Sequence, residues 1–199
     1  MKKERIGIFG GTFNPPHNGH VSAAVAFLNE MNLDRLIIIP SFIPPHKEYK
    51  SKVNCEERLE MCRLAFRDIP RTEISDIEIV RGGMSYTYLT LEELAGEDRD
   101  LFFLCGTDMI LTMDAWKNPE RIFTLASICF IRRETVGEND LLIKEKCREY
   151  EQRYDARIYE IKSETIEISS SEIRSFDASL SDYLPPSVLS YVTEKGLYR

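Results

Sequence analysis

The sequence has one tryptophan, three histidines and no C-x-x-C pair among its 199 residues. Its cysteines are odd in number (Cys55, Cys62, Cys105, Cys129 and Cys147). That usage argues against a disulfide framework and a cysteine metal site, and it suits a reducing compartment. Cys55 and Cys62, seven apart on a predicted helix, read as a packing face. No run approaches the ~20 apolar residues of a membrane span. The apolar stretch after Lys2-Lys3 is too short for a signal-peptide core, so a cytoplasmic protein with no membrane partner is expected. Positive charge is also scarce: 26 Lys and Arg stand against 33 Asp and Glu, a net charge of −7. An acidic chain makes a poor surface for nucleic acid, so a phosphate ligand must be held by local donors. Internal repeats and low-complexity tracts are missing too.

What is present is the composition of a soluble globular protein, 43% hydrophobic and 30% charged. The length suits a single domain over 1–199, with a C-terminal helical part at about 169–199. Apolar runs at Ile6–Phe9, Leu36–Pro40, Leu101–Cys105, Ser127–Ile131 and Arg157–Ile161 predict strands, and the looser alternation of Glu73–Val80 predicts another. Helical patterns separate them at Val21–Met31, Glu56–Phe66, Ser85–Leu94, Met109–Met113, from Asn118 with Pro119 in its first turn, and at Leu141–Arg153. A last helix, Pro186–Lys195, ends at Gly196. This alternation predicts a doubly wound, mainly parallel α/β sheet with helices on both faces. Ligands of such sheets sit beyond the carboxyl ends of the strands.

All three histidines (His17, His20 and His46) fall in Gly- or Pro-rich loops after strands. The first two belong to Gly10-Gly11-Thr12-Phe13-Asn14-Pro15-Pro16-His17-Asn18-Gly19-His20, a strand, turn and helix start. Such a turn gathers backbone N–H groups at a helix N-terminus, which suits an anion. It is neither G-x-G-x-x-G nor a P-loop. A generic turn accounts for the glycines but not for two imidazoles three residues apart, which share one side of a helix start. Near the other end, Ser169-Ser170-Ser171-Glu172 fits a capping box.

The first stretch, together with Ile168-Ser169-Ser170-Ser171-Glu172-Ile173-Arg174 about 150 residues later, resembles the H-x-G-H nucleotidyltransferase superfamily. Pro44-Pro45-His46-Lys47, Ser85-Tyr86-Thr87, Cys105-Gly106-Thr107-Asp108, Trp116 and Gly196-Leu197-Tyr198 are similar to bacterial nicotinate-nucleotide adenylyltransferases, over essentially the whole chain. Two positions depart. Asn14 stands where many members have Asp, and Met84 replaces the proline that usually precedes Ser-Tyr-Thr.

The resemblance implies a Rossmann-like fold and transfer of the adenylyl group of ATP to nicotinic acid mononucleotide, in NAD biosynthesis. It places His17, His20 and Arg174 in catalysis, and Gly10, Gly11, Thr12, Phe13, Ser169 and Ser170 with those three around ATP. It also gives Lys47, Thr87, Asp108 and Trp116 to the acceptor. Taken alone, Lys47 reads equally as a solvated lysine, Asp108 as an N-cap and Trp116 as a core residue. Mg²⁺ is implied as the companion of ATP, with no protein metal cage. The other acceptors to weigh are nicotinamide mononucleotide and pantetheine phosphate; a non-catalytic nucleotide sensor is the reading from another class. The oligomeric state is open, a homo-oligomer being compatible with the sequence. So is the role of Arg132-Arg133, as a phosphate contact or a solvated pair.

Overall fold

Strands of a parallel sheet covered on both faces have no solvent side, so their sequences are apolar without interruption. A computed structural model, described over residues 2–45, 53–132, 140–162, 170–175 and 180–198, turns these runs into six strands. They are β1 (Glu4–Gly11), β2 (Arg35–Pro40), β3 (Thr72–Ile74), β4 (Arg99–Gly106), β5 (Ala126–Ile131) and β6 (Ile158–Ile161). Every pairing is parallel, in the order β3-β2-β1-β4-β5-β6. The register sets Ile8 opposite both Ile37 and Phe103. This is the doubly wound sheet expected.

Alternate side chains of each strand enter opposite layers. Ile8, Ile37, Phe103 and Ile128 pack with Leu91, Ile122 and Tyr150 on one side. Phe9, Ile38, Leu104 and Cys129 pack with Ala24, Phe27 and Cys62 on the other. The second layer comes from α1 (Asn18–Glu30) and α2 (Cys55–Phe66). Beyond β3, chain order continues with α3 (Ile77–Arg81) and α4 (Thr87–Leu94). After β4 come α5 (Thr107–Ile110), a 3-10 turn at Met113–Ala115, α6 (Pro119–Leu125) and, past β5, α7 (Asp140–Tyr154). The chain closes with α8 (Ser170–Ser175), α9 (Leu180–Tyr183) and α10 (Pro186–Lys195). Gly196 caps α10 in the left-handed region (φ 64°), as its sequence predicts.

Gly7 sets how closely α1 lies on the sheet. A Cβ there would come within 2.4 Å of Leu33 Cδ1 and 2.8 Å of Phe27 Cε1. The C-terminal helices have a smaller core of their own, in which Met61 of α2 meets Ile173, Leu184, Val188 and Val192.

One expectation is overturned. Glu73–Val80 is not a strand: pairing with β2 stops at Ile74, and residues 77–81 are helical. The cause is polar. Glu78 is buried and accepts from Thr90 Oγ1 at 2.6 Å, while Arg81 bridges Thr90 and Glu93 at 2.9 and 2.7 Å. Only a helix puts residues 78 and 81 on one face. Among the described residues no helix is long and apolar enough to cross a membrane.

Candidate active site

An all-parallel sheet delivers the carboxyl ends of its strands to one edge. The strand order reverses between β1 and β4, which opens a crevice there. Gly10 and Gly11 end β1 beside Ile39 and Pro40 of β2, and the Ser41 amide extends the ladder to the Gly11 carbonyl at 2.9 Å.

The turn that follows is held from below. Phe13 takes a left-handed conformation (φ 47°) and is buried edge-on against Phe9, Phe66 and His20, with ring centroids 5.3, 5.8 and 5.0 Å away. A Cβ on Gly11 would sit 3.1 Å from the Phe13 ring, so glycine makes room for this packing. The Asn14–Pro15 peptide is cis. His17 is the extended N-cap of α1 and Asn18 its first residue, three residues earlier than the predicted Val21. His20 is therefore the third helical residue, and its Nδ1 accepts from the His17 amide at 3.2 Å. In this geometry Nδ1 is the accepting nitrogen, which leaves Nε2 to donate outward. The two imidazoles lie 3.7 Å apart, centroid to centroid. The predicted convergence of His17 and His20 is present.

The late segment closes on this turn. Ser170 Oγ donates to the Pro15 carbonyl at 3.0 Å, and Arg174 Nη1 to the Asn14 carbonyl at 2.6 Å. Tyr198 OH donates to Asn14 Oδ1 at 2.5 Å. Thus Ser170 and Arg174 are brought to the H-x-G-H turn as predicted. Lys47, His46, Ser169 and Arg133 lie outside the described residues.

The remaining predicted residues occupy neighbouring loops on the same edge. Thr87 opens α4, and the half-buried Trp116 follows the 3-10 turn with its ring edge-on to Phe103 of β4 (6.3 Å). Asp108 is exposed after the end of β4. The N-cap reading of Asp108 fails, because Gly106 occupies that position and Asp108 lies inside the first turn. Arg132 is not a solvated residue, since Glu160 and Asp140 hold its guanidinium.

Sequence reasoning missed Arg58. It is fully buried on α2, with Nη1 donating to the Thr12 carbonyl (2.8 Å) and Nη2 to those of Ser41 (2.6 Å) and Phe42 (3.3 Å). The loops after β1 and β2 are thereby tied together. The second loop is tied onward: the Phe42 amide donates to Ser85 Oγ and the Ser85 amide to the Ile43 carbonyl, both at 2.9 Å. The only hint in the sequence was an arginine directly before Leu59 on an otherwise amphipathic helix.

No thiolate is favoured, since desolvation raises the thiol pKa even at the half-buried Cys55 and Cys147. Cys62, Cys105 and Cys129 are buried, and burial pushes the Cys129 thiol up to about 12. Among the described residues no group of three His, Cys, Asp or Glu is placed to hold a metal ion.

Residues 8–176 match the cytidylyltransferase-like family. A relative from Desulfatibacillum aliphaticivorans, named "Probable nicotinate-nucleotide adenylyltransferase", is 36% identical and covers 98% of this chain and 99% of its own. One of the same name from Clostridium botulinum (strain Eklund 17B / Type B) is also 36% identical, covering 98% of each. The chain belongs to the nicotinate-nucleotide adenylyltransferase family. Its fold agrees: the structure of Plasmodium falciparum nicotinic acid mononucleotide adenylyltransferase complexed with NaAD superposes with a TM-score of 0.77, at 21% identity over 98% of this chain and 97% of that one.

For a nicotinate-nucleotide adenylyltransferase, Asn14 and Met84 are then departures the geometry accommodates. Tyr198 needs only an oxygen at position 14, which Asn and Asp both supply. Met84 meets Ile43 through its backbone, a parallel bridge that does not depend on its side chain.

Proposed function

We propose that the chain transfers the adenylyl group of ATP to nicotinic acid mononucleotide, releasing pyrophosphate and deamido-NAD, in NAD synthesis. The observation that carries this is the meeting of His17, His20, Ser170 and Arg174 at one turn, from opposite ends of the chain. The attacking phosphate has a second pKa near ~6 and is largely dianionic at neutral pH, so no general base is required. Catalysis can rest on alignment and on donors placed where charge develops.

In this reading His17 and His20, the latter through Nε2–H, donate to the ATP phosphates. The amides around Gly10 and Gly11, with Thr12 and Phe13, hold phosphate or ribose. Ser169, Ser170 and the start of α8 receive the outer phosphates, while Arg174 holds the turn and brings positive charge to them. Lys47 takes the acceptor phosphate, Asp108 a ribose hydroxyl, Trp116 the pyridine face and Thr87 the nicotinate carboxylate. Mg²⁺ would arrive with ATP as part of the substrate and would offset phosphate charge. The whole of 1–199 acts as one nucleotidyltransferase domain, a reading supported by the seating of α8 and α10 against α2 and the turn. Free thiols suit a cytoplasmic setting.

The test is pyrophosphate release from Mg-ATP with nicotinic acid mononucleotide, nicotinamide mononucleotide or pantetheine phosphate in separate reactions. Preference for the first is expected. Preference for either other acceptor overturns the substrate assignment, and no release with any of them points to a nucleotide sensor.

A further inference from the structure

Tyr150 of α7 is fully buried, yet it is polar at its tip. Its OH donates to Asp114 Oδ1 at 2.9 Å, and Lys146 Nζ donates to Asp114 Oδ2 and to Glu149 Oε2, both at 3.0 Å. Asp114 lies in the 3-10 turn, two residues before Trp116, and the Trp116 amide closes that turn on the Met113 carbonyl at 3.1 Å. The same Tyr150 ring packs on Phe123 of α6 with centroids 4.9 Å apart. One side chain therefore holds the segment carrying Trp116 on both sides, by a hydrogen bond before it and a ring contact after it. Buried polar groups of this kind are costly unless satisfied and rigidify what they join when they are. Burial and the bond to Asp114 both push the Tyr150 hydroxyl well above its ordinary range, which keeps it a donor.

We propose that Tyr150, with Lys146, is a positioning residue for the acceptor: by fixing Asp114 it sets the place of Trp116. The inference rests on the proposed role of Trp116 at the pyridine ring. The hydrogen bonds and ring contact of the cluster run among α6, α7 and the 3-10 turn, on the side of the sheet opposite α1, so its influence falls on one substrate. Fixing the turn selectively lowers the ordering that acceptor binding must supply.

Because Trp116 is the sole tryptophan, its emission reports this segment alone. The experiment measures KM for nicotinic acid mononucleotide and for ATP, with iodide quenching of Trp116, in Tyr150→Phe, Lys146→Met and Trp116→Phe (kinetics only for the last). Tyr150→Phe keeps the ring and removes only the donor. It is expected to raise the acceptor KM roughly 5–20-fold, a part of what one charge-assisted hydrogen bond supplies. ATP KM is expected to stay within about two-fold, and quenching to increase. Lys146→Met, at the half-exposed edge of the cluster, should move the same readouts in the same direction by less, and it stands in if Tyr150→Phe does not fold. An unchanged acceptor KM in both, or equal rises in both KM values, overturns the positioning role. If Trp116→Phe itself leaves the acceptor KM unchanged, the reading of Trp116 falls instead.

Discussion

Arg58 shows how one buried side chain can decide the shape of a site it never enters. Its guanidinium satisfies three loop carbonyls at once, a task that needs a planar fork of donors. Lysine has the charge but not the fork. Arg58→Lys should therefore leave at least one loop carbonyl unsatisfied in the interior, at about 1–3 kcal/mol each. For a chain of this size that is a fall in Tm of roughly 2–12 °C in a thermal melt, since 1 kcal/mol moves Tm by ~2–4 °C. The imidazoles are a different case, because their cost falls on rate. His17→Ala and His20→Ala are each expected to lose ~10²–10³ in kcat, measured by pyrophosphate release, with only the fall in Tm that loss of the α1 cap brings, about 0.5–2 kcal/mol of stability. The histidines were legible because imidazoles are scarce here and chemically distinctive. Arg58 was not, because an arginine on a helix ordinarily points to water, and only tertiary contacts say otherwise.

At the scale of elements, strands buried on both faces declared themselves by unbroken apolar runs, and the sheet could be read directly. Residues 73–80 misled for a physical reason. Alternation of Ile74, Ile77, Ile79 and Val80 with polar residues satisfies a strand pattern loosely, while the deciding term is a buried Glu78–Thr90 hydrogen bond across elements. The 3-10 turn was equally invisible, as it depends on α7. There Asp114 is partly desolvated, which raises its pKa, but the hydrogen bonds from Lys146 and Tyr150 outweigh this and hold it below the ordinary carboxylate value. The unfolded state then takes up the proton first as pH falls, so this contribution is complete above the ordinary aspartate pKa of ~3.9 and is lost through the lower folded value. Asp114→Asn should be less stable than the parent at neutral pH, the gap closing as the pH falls below the ordinary aspartate pKa and through the lower folded value. Denaturant titrations followed by Trp116 emission check this. Gly7 leaves no room for a side chain under α1 and Leu33, so Gly7→Ala should destabilise by about 1–3 kcal/mol through overpacking against Leu33 and Phe27.

Across the whole molecule, the site exists only when the two ends of the chain are together. Residue 198 reaches residue 14 through the Tyr198–Asn14 hydrogen bond, and the same turn receives Ser170 and Arg174. The C-terminal helices gain their seat from apolar contact with Met61 and from Ser187 Oγ on the Leu64 carbonyl (3.0 Å), so α2 underlies both the clasp and, through Arg58, the loops. The two motifs announced in the sequence that distant segments would meet, but not that the last tyrosine would lock them. Tyr198→Phe keeps the apolar ring and removes only the hydroxyl that holds Asn14. One neutral hydrogen bond is worth about 0.5–1.5 kcal/mol. If that energy serves chiefly to hold the turn, it should appear in catalysis: kcat/KM for ATP falling roughly 2–13-fold, with Tm lowered by less than ~5 °C. A variant that melts well below that limit while the surviving fraction turns over normally would show instead that Tyr198 secures α10 and leaves the turn to Ser170 and Arg174.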